Sequence, residues 1–479
     1  MGKDKHIISG IDGFFHKNDS NKAINGIMRT IEHLNLRSSS LGVEKRHNSK
    51  FTNLQVFELL LLFPFFMVKN SFQYCHSGLS RLFSCQKDMF YRFMEQDDVD
   101  WRRLVYMVSI RLLNRISSRK ESKHTLQCLI IDDTDLPKTG FKTEMIGRIY
   151  SHVHHRSILG FKGLFLCHTD GKTQNMLDFS LHGEDGRNPE KKQGLTKEQR
   201  NARFDKKRDK DSAVNTRIKE YRQSKIVRSI EMVKDAIRKG VRFDYLLVDS
   251  WFTCADLVGF ICTRRLKCHL IGMIKMGKTR YKTRLGNLNA SDIIGRLKKE
   301  KSVKYSRKLN CYYACMDAEY ANREIRIFFC RRGRKGAWNA FLTTDTGLDF
   351  FEAYRIYSMR WAIEVCFSEM KGLQKLGKCQ CRNFSSQIAS ISLTMMQYNI
   401  LSYIKRFESY ETIGGLFNHA INGTIELSVT ERIWELILQI VATIADLLSA
   451  DEEEIIRMIA HDNKKIAIIK ELCAERKTA

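Results

Sequence analysis

LQCLIIDDTD, residues 126–135, is an apolar run that ends abruptly in carboxylates, with Leu129, Ile130 and Ile131 followed at once by Asp132 and Asp133. A short unbroken apolar stretch bounded by polar residues predicts a strand covered on both faces, as in the middle of an α/β sheet. Downstream, GFKGLFLCHTDGKTQNMLDFSLH (160–182) divides into two β-like runs at Asp170 and Gly171, a hairpin turn signal. FDYLLVDSWF (243–252) repeats the opening pattern, a buried strand stopping at Asp249. A helix is expected before it, at 224–239, and a helix and a strand after it, in LVGFICTRRL (257–266) and HLIGMIKM (269–276). Strand, helix and strand in succession imply parallel strands, so the fold class is α/β.

The flanks have a different texture. Residues 1–125 read as helical, with apolar positions at helical spacing in NLQVFELLLLF (53–63) and DWRRLVYMVSIRLLNRI (100–116). The second of these carries Arg102, Arg103, Arg111 and Arg115, with Arg119 just beyond, a basic face for DNA or for solvent. The stretch from Gly183 to Lys219 is polar and basic, which predicts a flexible loop lying on DNA or in water. Between 277 and 344 four segments alternate in the strand manner, a small antiparallel β unit. After Asp349 the pattern is helical to the end, through the apolar 431–448 and a capping box at Ser449–Glu452. The expected divisions are therefore 1–125, 126–276, 277–347, 348–405 and 406–479.

Bulk composition narrows the function classes. The chain has 479 residues, with 81 Lys and Arg against 54 Asp and Glu, a formal net charge of +27. An excess of that size favours a polyanionic partner, because neutralised phosphates release counterions. The longest apolar run, 57–68, covers 12 residues and contains Pro64, where a membrane span needs about 20. No secretory start is evident in MGKDKHIISG, so a soluble, cytoplasmic protein with reduced cysteines is expected. The 14 cysteines include no CxxC pair, and Cys379/Cys381 and Cys311/Cys315 lack partners at zinc-finger spacing. His152, His154 and His155 tempt a metal assignment, but no third ligand stands at suitable spacing.

The chemistry-bearing residues are acids at strand ends and one helix face. Asp249 closes its strand alone, whereas Asp132 and Asp133 compete for the first position, since adjacent strand residues point to opposite faces. YSMRWAIEVCFSEMK (357–371) carries Tyr357, Arg360, Glu364 and Lys371 at offsets of 0, 3, 7 and 14. On one continuous helix these fall within about 60° of arc, a carboxylate flanked by two cations and a phenol. An exposed ion ladder accounts for Arg360 and Glu364 but leaves the other two without a role. Trp361 is expected to pack that helix onto the sheet.

Tyr-x2-Arg-x3-Glu-x6-Lys at 357–371 resembles the signature of bacterial transposases of the insertion-sequence-4 family. The resemblance implies an RNase H-like mixed sheet flanked by helices, interrupted by an antiparallel β insertion, with helical N- and C-terminal regions. It implies Asp132, Asp249 and Glu364 as a catalytic triad that binds two Mg²⁺ ions, with Mn²⁺ able to substitute. LIIDDTD points to Asp132 because the family's first acid stands two residues before a Thr or Ser, and VDSWF points to Asp249. The 115 positions between Asp249 and Glu364 resemble the family's β insertion. Tyr357, Arg360 and Lys371 would contact DNA, Arg as a bidentate donor and Lys as a point charge. The implied partners are double-stranded DNA, both terminal inverted repeats and target, and a second copy of the chain, with no membrane. The apolar segment 431–448 is a candidate for pairing the two copies, and Trp338 for holding a flipped base. Two rivals remain: a metal-dependent nuclease that does not join DNA, and a DNA-binding protein whose acids are structural.

Overall fold

The computed structural model describes residues 22–42, 50–66, 68, 70–77, 80, 85–118, 125–184, 194–263, 267–408 and 410–424. The segment 431–448 and the capping box after it lie outside the described residues. Among the described residues the α-helices that come before the sheet are α1 (Lys22–His33), α2 (Asn53–Leu62), α3 (Ser71–Cys75), α4 (Lys87–Met94) and α5 (Trp101–Ser117). Thr52 and Gln55 cap α2 reciprocally, and the apolar run beyond it breaks into a 3-10 turn at Phe63–Phe66, where Pro64 has no N–H to continue the helix.

The sheet begins with β1 (Cys128–Pro137), β2 (Gly147–Ser151), β3 (Arg156–Thr169) and β4 (Gln174–His182). After α6 (Lys197–Asn201), α7 (Ala213–Tyr221) and α8 (Lys225–Arg238) come β5 (Tyr245–Val248), α9 (Ala255–Thr263) and β6 (His269–Ile274). β1 pairs antiparallel with β3 and parallel with β5, β3 pairs antiparallel with β4, and β5 pairs parallel with β6. The order β4-β3-β1-β5-β6, an antiparallel meander followed by two parallel strands, is the RNase H-like arrangement expected from the resemblance.

β7 (Arg280–Thr283), β8 (Gly286–Asn289), α10 (Ala290–Lys299), β9 (Lys304–Ser306), β10 (Cys311–Tyr320), β11 (Arg323–Arg332) and β12 (Asn339–Thr343) follow. β12 pairs antiparallel with β6, so these strands prolong the core sheet to twelve in all and cover an edge that β6 would otherwise expose. α11 (Phe350–Ser358), α12 (Trp361–Gly372) and α13 (Phe384–Phe407) come next, and residues 413–424 are helical as well.

Alternation along the central strands divides the core in two. Cys128 and Ile130 of β1 join Phe165, Leu247 and Ile271 on the face covered by the N-terminal helices and by α11 to α13. Leu129 and Ile131 join Leu164, Leu246 and Val248 on the face covered by α8, α9 and α10. α13 is buried on nearly every side, and its Asn399 carboxamide exchanges two hydrogen bonds, of 2.7 and 2.9 Å, with the Met176 backbone.

Two expectations about charge are overturned. The stretch from Gly183 to Lys219 is read as a flexible loop, yet its described part, 183–184 and 194–219, contains α6, most of α7 and a buried Arg208 side chain, whose guanidinium donates to Asp97 at 2.8 Å and to both Glu144 oxygens. The arginines of α5 mostly serve the protein itself. Arg102 grips Asp178 at 2.9 Å and Glu220 at 2.6 and 2.8 Å, Arg111 donates to the Leu34 carbonyl, and Arg115 to the His33 carbonyl at 2.6 Å. Paired in this way with distant carboxylates and a helix end, cations leave water at little cost. Among the described residues no helix is long and apolar enough to cross a membrane.

Candidate active site

Ile131 of β1 lies opposite Val248 of β5 in parallel register, so the next residues, Asp132 and Asp249, emerge side by side at the carboxyl ends of adjacent strands. Alternation gives Asp132 the orientation of Cys128 and Ile130, toward α11 and α12, and turns Asp133 toward α8. The partners follow that division. Arg360 Nη1 donates to Asp132 Oδ2 at 2.8 Å, and Lys371 Nζ to Thr134 Oγ1 at 2.6 Å. On the other side Asp133 pairs with Lys225 and, at 3.7 Å, with Lys162. Of the two competing acids, Asp132 is the one that faces the helix carrying Glu364.

Asp249 is fixed by its own turn. Its Oδ1 accepts the backbone N–H groups of Trp251 at 2.9 Å and Phe252 at 3.1 Å, and its carbonyl accepts the Thr253 hydroxyl at 2.9 Å. The turn presses against β6 at Gly272, where an added Cβ would collide with Thr253 Oγ1 and lie 2.9 Å from Val248 Cγ2. Only glycine allows that approach.

Glu364 sits in the first turn of α12, where the helix dipole favours a carboxylate. The Arg360 guanidinium spans both acids, Nη1 on Asp132 and Nη2 on Glu364. The four signature residues do not lie on one continuous helix. Between α11 and α12 the hydrogen bonds tighten to the third residue back, from Arg360 N to Tyr357 O at 3.0 Å and from Ala362 N to Met359 O at 3.1 Å. Tyr357, at the end of α11, therefore turns inward. Its hydroxyl donates to the Val248 carbonyl at 3.2 Å and its ring stacks on Phe341, with centroids 5.6 Å apart.

Electrostatics single out Asp132. Burial pushes its carboxyl up to about 7, opposed by Arg360 and reinforced by the neighbouring Asp249 and Asp133. Burial also holds the Lys371 ammonium below its ordinary value and pushes the Tyr357 phenol well up. Among the described residues no three of His, Cys, Asp and Glu are gathered tightly enough to hold an ion as they stand. The guanidinium between Asp132 and Glu364 satisfies both carboxylates as a cation would, and the donors are the hard oxygens that Mg²⁺ takes. The residues present fit such an ion once Arg360 moves aside.

Other candidates are placed elsewhere. Trp361 is 61% exposed rather than packed on the sheet, because it lies on the side of α12 opposite Ile363, Cys366 and Met370. His152, His154 and His155 occupy the exposed turn between β2 and β3, not a strand face. Trp338 is half-buried, with the Arg331 guanidinium 4.9 Å and the Lys298 ammonium 5.4 Å from its ring. Sequence reasoning passed over Lys162, Lys225 and Trp251. Lys162 stands opposite Asp135 in the register of β1 and β3, a signal legible once that pairing is known. Lys225 joins Asp133 to the Trp251 ring, 3.9 Å from its Nζ, and nothing in the linear sequence announces it.

Residues 78–281 match the family model described as DDE superfamily endonuclease. That stretch contains Asp132 and Asp249 and stops short of Glu364. None of the curated proteins compared matches the chain. Among solved structures, the cryo-EM structure of a piggyBac transposase synaptic complex with hairpin DNA is 11% identical and has a TM-score of 0.42, covering 89% of this chain and 82% of that one. The crystal structure of the NurA nuclease from Sulfolobus solfataricus is also 11% identical, with a TM-score of 0.23 and coverage of 58% and 86%. Likenesses of that degree add nothing to the strand order described above.

Proposed function

We propose that this chain is a transposase of the insertion-sequence-4 type, cutting DNA at element ends and joining the freed ends to target DNA. The observation that carries the reading is the meeting of Asp132 and Asp249 on adjacent parallel strands, with Glu364 tied to Asp132 through one guanidinium. The match of residues 78–281 to a DDE endonuclease model and the net charge of +27 support it.

Asp132, Asp249 and Glu364 would hold two Mg²⁺ ions, which supply activation of the attacking oxygen and stabilisation of the leaving one. The protein's own groups do the rest. Asp132 is poised to ionise near neutral pH, so that cation binding and proton loss are coupled there. Arg360, once released from Glu364, is free to grip a non-bridging phosphate oxygen, and Lys371 stands beside Thr134 to hold the strand by charge. Tyr357 fixes the end of β5 through Val248 and so positions Asp249.

The test uses duplex DNA carrying the sequences that flank the chain's own coding region, with Mg²⁺ or Mn²⁺. Asp249→Asn and Glu364→Gln should each lose cleavage by at least about a hundredfold while keeping or improving DNA affinity, since a negative charge leaves the neighbourhood of phosphates. Full activity in either variant would remove that residue from the triad. The matched family is described by endonuclease activity alone, which leaves an endonuclease that does not join as the second reading. A labelled 3′-hydroxyl end separates the two, because only a transposase transfers it covalently to target DNA.

A further inference from the structure

The far part of the sheet carries a cationic surface that the cleavage site does not use. Lys304, Arg307 and Lys308 on β9 and the turn after it, and Arg332, Arg334 and Lys335 at the end of β11, are all exposed. Pairing brings the two groups together, because Cys311 lies opposite both Ser306 and Arg332. Neither 304–313 nor 330–336 contains an aspartate or glutamate, and no carboxylate among the described residues pairs with any of the six. The other half of the same hairpin is different, for there Arg326 pairs with Asp317 at 2.6 Å and Lys282 with Glu319 at 3.1 Å. Charge is thus neutralised at one end of the hairpin and left open at the other. Arg331, within the open end, is braced between the Tyr312 and Trp338 rings, 4.9 Å from each centroid.

The direction of each strand decides which end is open. β5 and β6 run parallel, β12 runs against β6, β11 against β12 and β10 against β11. The start of β12, the end of β11 and the start of β10 therefore lie on the same edge of the sheet as the carboxyl ends of β1 and β5, where Asp132 and Asp249 emerge. From β5 to β11 is three strand steps and to β9, on the far side of β10, five, about 14 to 24 Å across the sheet at about 4.8 Å per step. At 3.4 Å per base pair that is about four to seven base pairs of B-form duplex.

We infer that this surface holds the phosphate backbone of the same double-stranded DNA that is cut at Asp132 and Asp249, about half a helical turn from the scissile bond. Its position relative to the cut rests on the proposed function, while its affinity for DNA does not. Six open cations facing one duplex make a salt-sensitive, sequence-independent clamp, which positions the strand without reading bases.

The experiment measures binding of the full chain to a fluorescein-labelled 40-base-pair duplex of arbitrary sequence, by anisotropy across a series of KCl concentrations. Two triple variants are compared with wild type, Lys304→Ala/Arg307→Ala/Lys308→Ala and Arg332→Ala/Arg334→Ala/Lys335→Ala. Each should flatten the slope of log K against log salt by about 2 to 3, at roughly 0.9 for every phosphate no longer neutralised, and weaken binding at least tenfold at low salt. The control Lys282→Ala/Arg284→Ala, at the neutralised end, should leave the slope unchanged. Phosphate-ethylation interference on a cleaved element-end duplex should map the clamp about four to seven base pairs from the cut. Unaltered slopes in both triple variants, or an equal fall in the control, would overturn the inference. So would failure of the wild type to bind duplex DNA, or tenfold tighter binding of duplex RNA. Flattened slopes with no cleavage of the element-end duplex by the wild type would refute the enzymatic reading and leave the clamp standing. Cleavage with unaltered slopes would refute the clamp alone.

Discussion

Replacing Arg360 by Gln uncovers Asp132 and Glu364 without removing either, and so tests whether the guanidinium holds the place of a cation. A dication about 5 Å from that guanidinium would be repelled by about 6 to 7 kcal/mol at an effective dielectric of about 20. The side chain avoids most of this by swinging into water, at the loss of its charge-assisted hydrogen bonds to the two carboxylates, each worth about 1.5 to 3 kcal/mol. Hydration of the freed guanidinium returns part of that loss, so about one such bond is left opposing the ion. Arg360→Gln should therefore bind Mn²⁺ roughly ten- to a hundredfold more tightly than wild type. Electron paramagnetic resonance of free Mn²⁺, titrated with protein at pH 8, reads the change directly. DNA cleavage should move the other way, falling at least about a hundredfold if the same group grips a phosphate in the transition state. Glu364→Gln serves as the counterpart and should weaken Mn²⁺ binding. Unchanged or weaker Mn²⁺ binding in Arg360→Gln, with cleavage intact, would show that Arg360 makes purely structural ion pairs with Asp132 and Glu364 and that the metal reasoning is wrong.

Gly272→Ala would push Thr253 out of its hydrogen bond to the Asp249 carbonyl, and should cost about 1 to 3 kcal/mol in denaturant unfolding together with most of the cleavage activity; unaltered stability and activity would mean that the turn yields without consequence. Burial holds His168 and His182 neutral in the fold, each down to about 4. Because the unfolded chain then binds more protons below about pH 6.5, stability is fully present above that value and should fall by up to roughly 3 kcal/mol per histidine as pH drops to about 4. Urea titrations across that range, with His168→Gln and His182→Gln each flattening the slope, check this; a pH-independent wild type would refute it.

How much of the fold is legible in the sequence depends on the range of the interactions involved. β1 and β5 declare themselves because a strand covered on both faces must be apolar without interruption, and their terminal acids follow from the same pattern. α10 is hidden inside a stretch that reads as strands, although Ile293, Ile294 and Leu297 have helical spacing and Asn289 caps the helix. The described part of the stretch 183–219 misleads for a firmer reason. A run of charges looks solvated unless its partners are known, and the distant partners of Arg208 and Arg217, namely Asp97, Glu144 and Asp178, lie 39 to 111 positions away.

The candidate site shows the same limit at closer quarters. The pair Arg360 and Glu364 is written in the helix period, yet its other half, Asp132, is 228 positions away. A choice between Asp132 and Asp133 cannot be made from alternation alone, because alternation says only that the two diverge. The choice requires knowing which face of β1 receives α12 and which receives α8, a matter of chain path that local patterning leaves open. Once the faces are assigned, each acid has its own cation, Arg360 for Asp132 and Lys225 for Asp133. That division also separates their expected chemistry. A carboxylate satisfied by a half-buried lysine beside a tryptophan can stay paired throughout, whereas one that shares its guanidinium with a second carboxylate is held ready to exchange it.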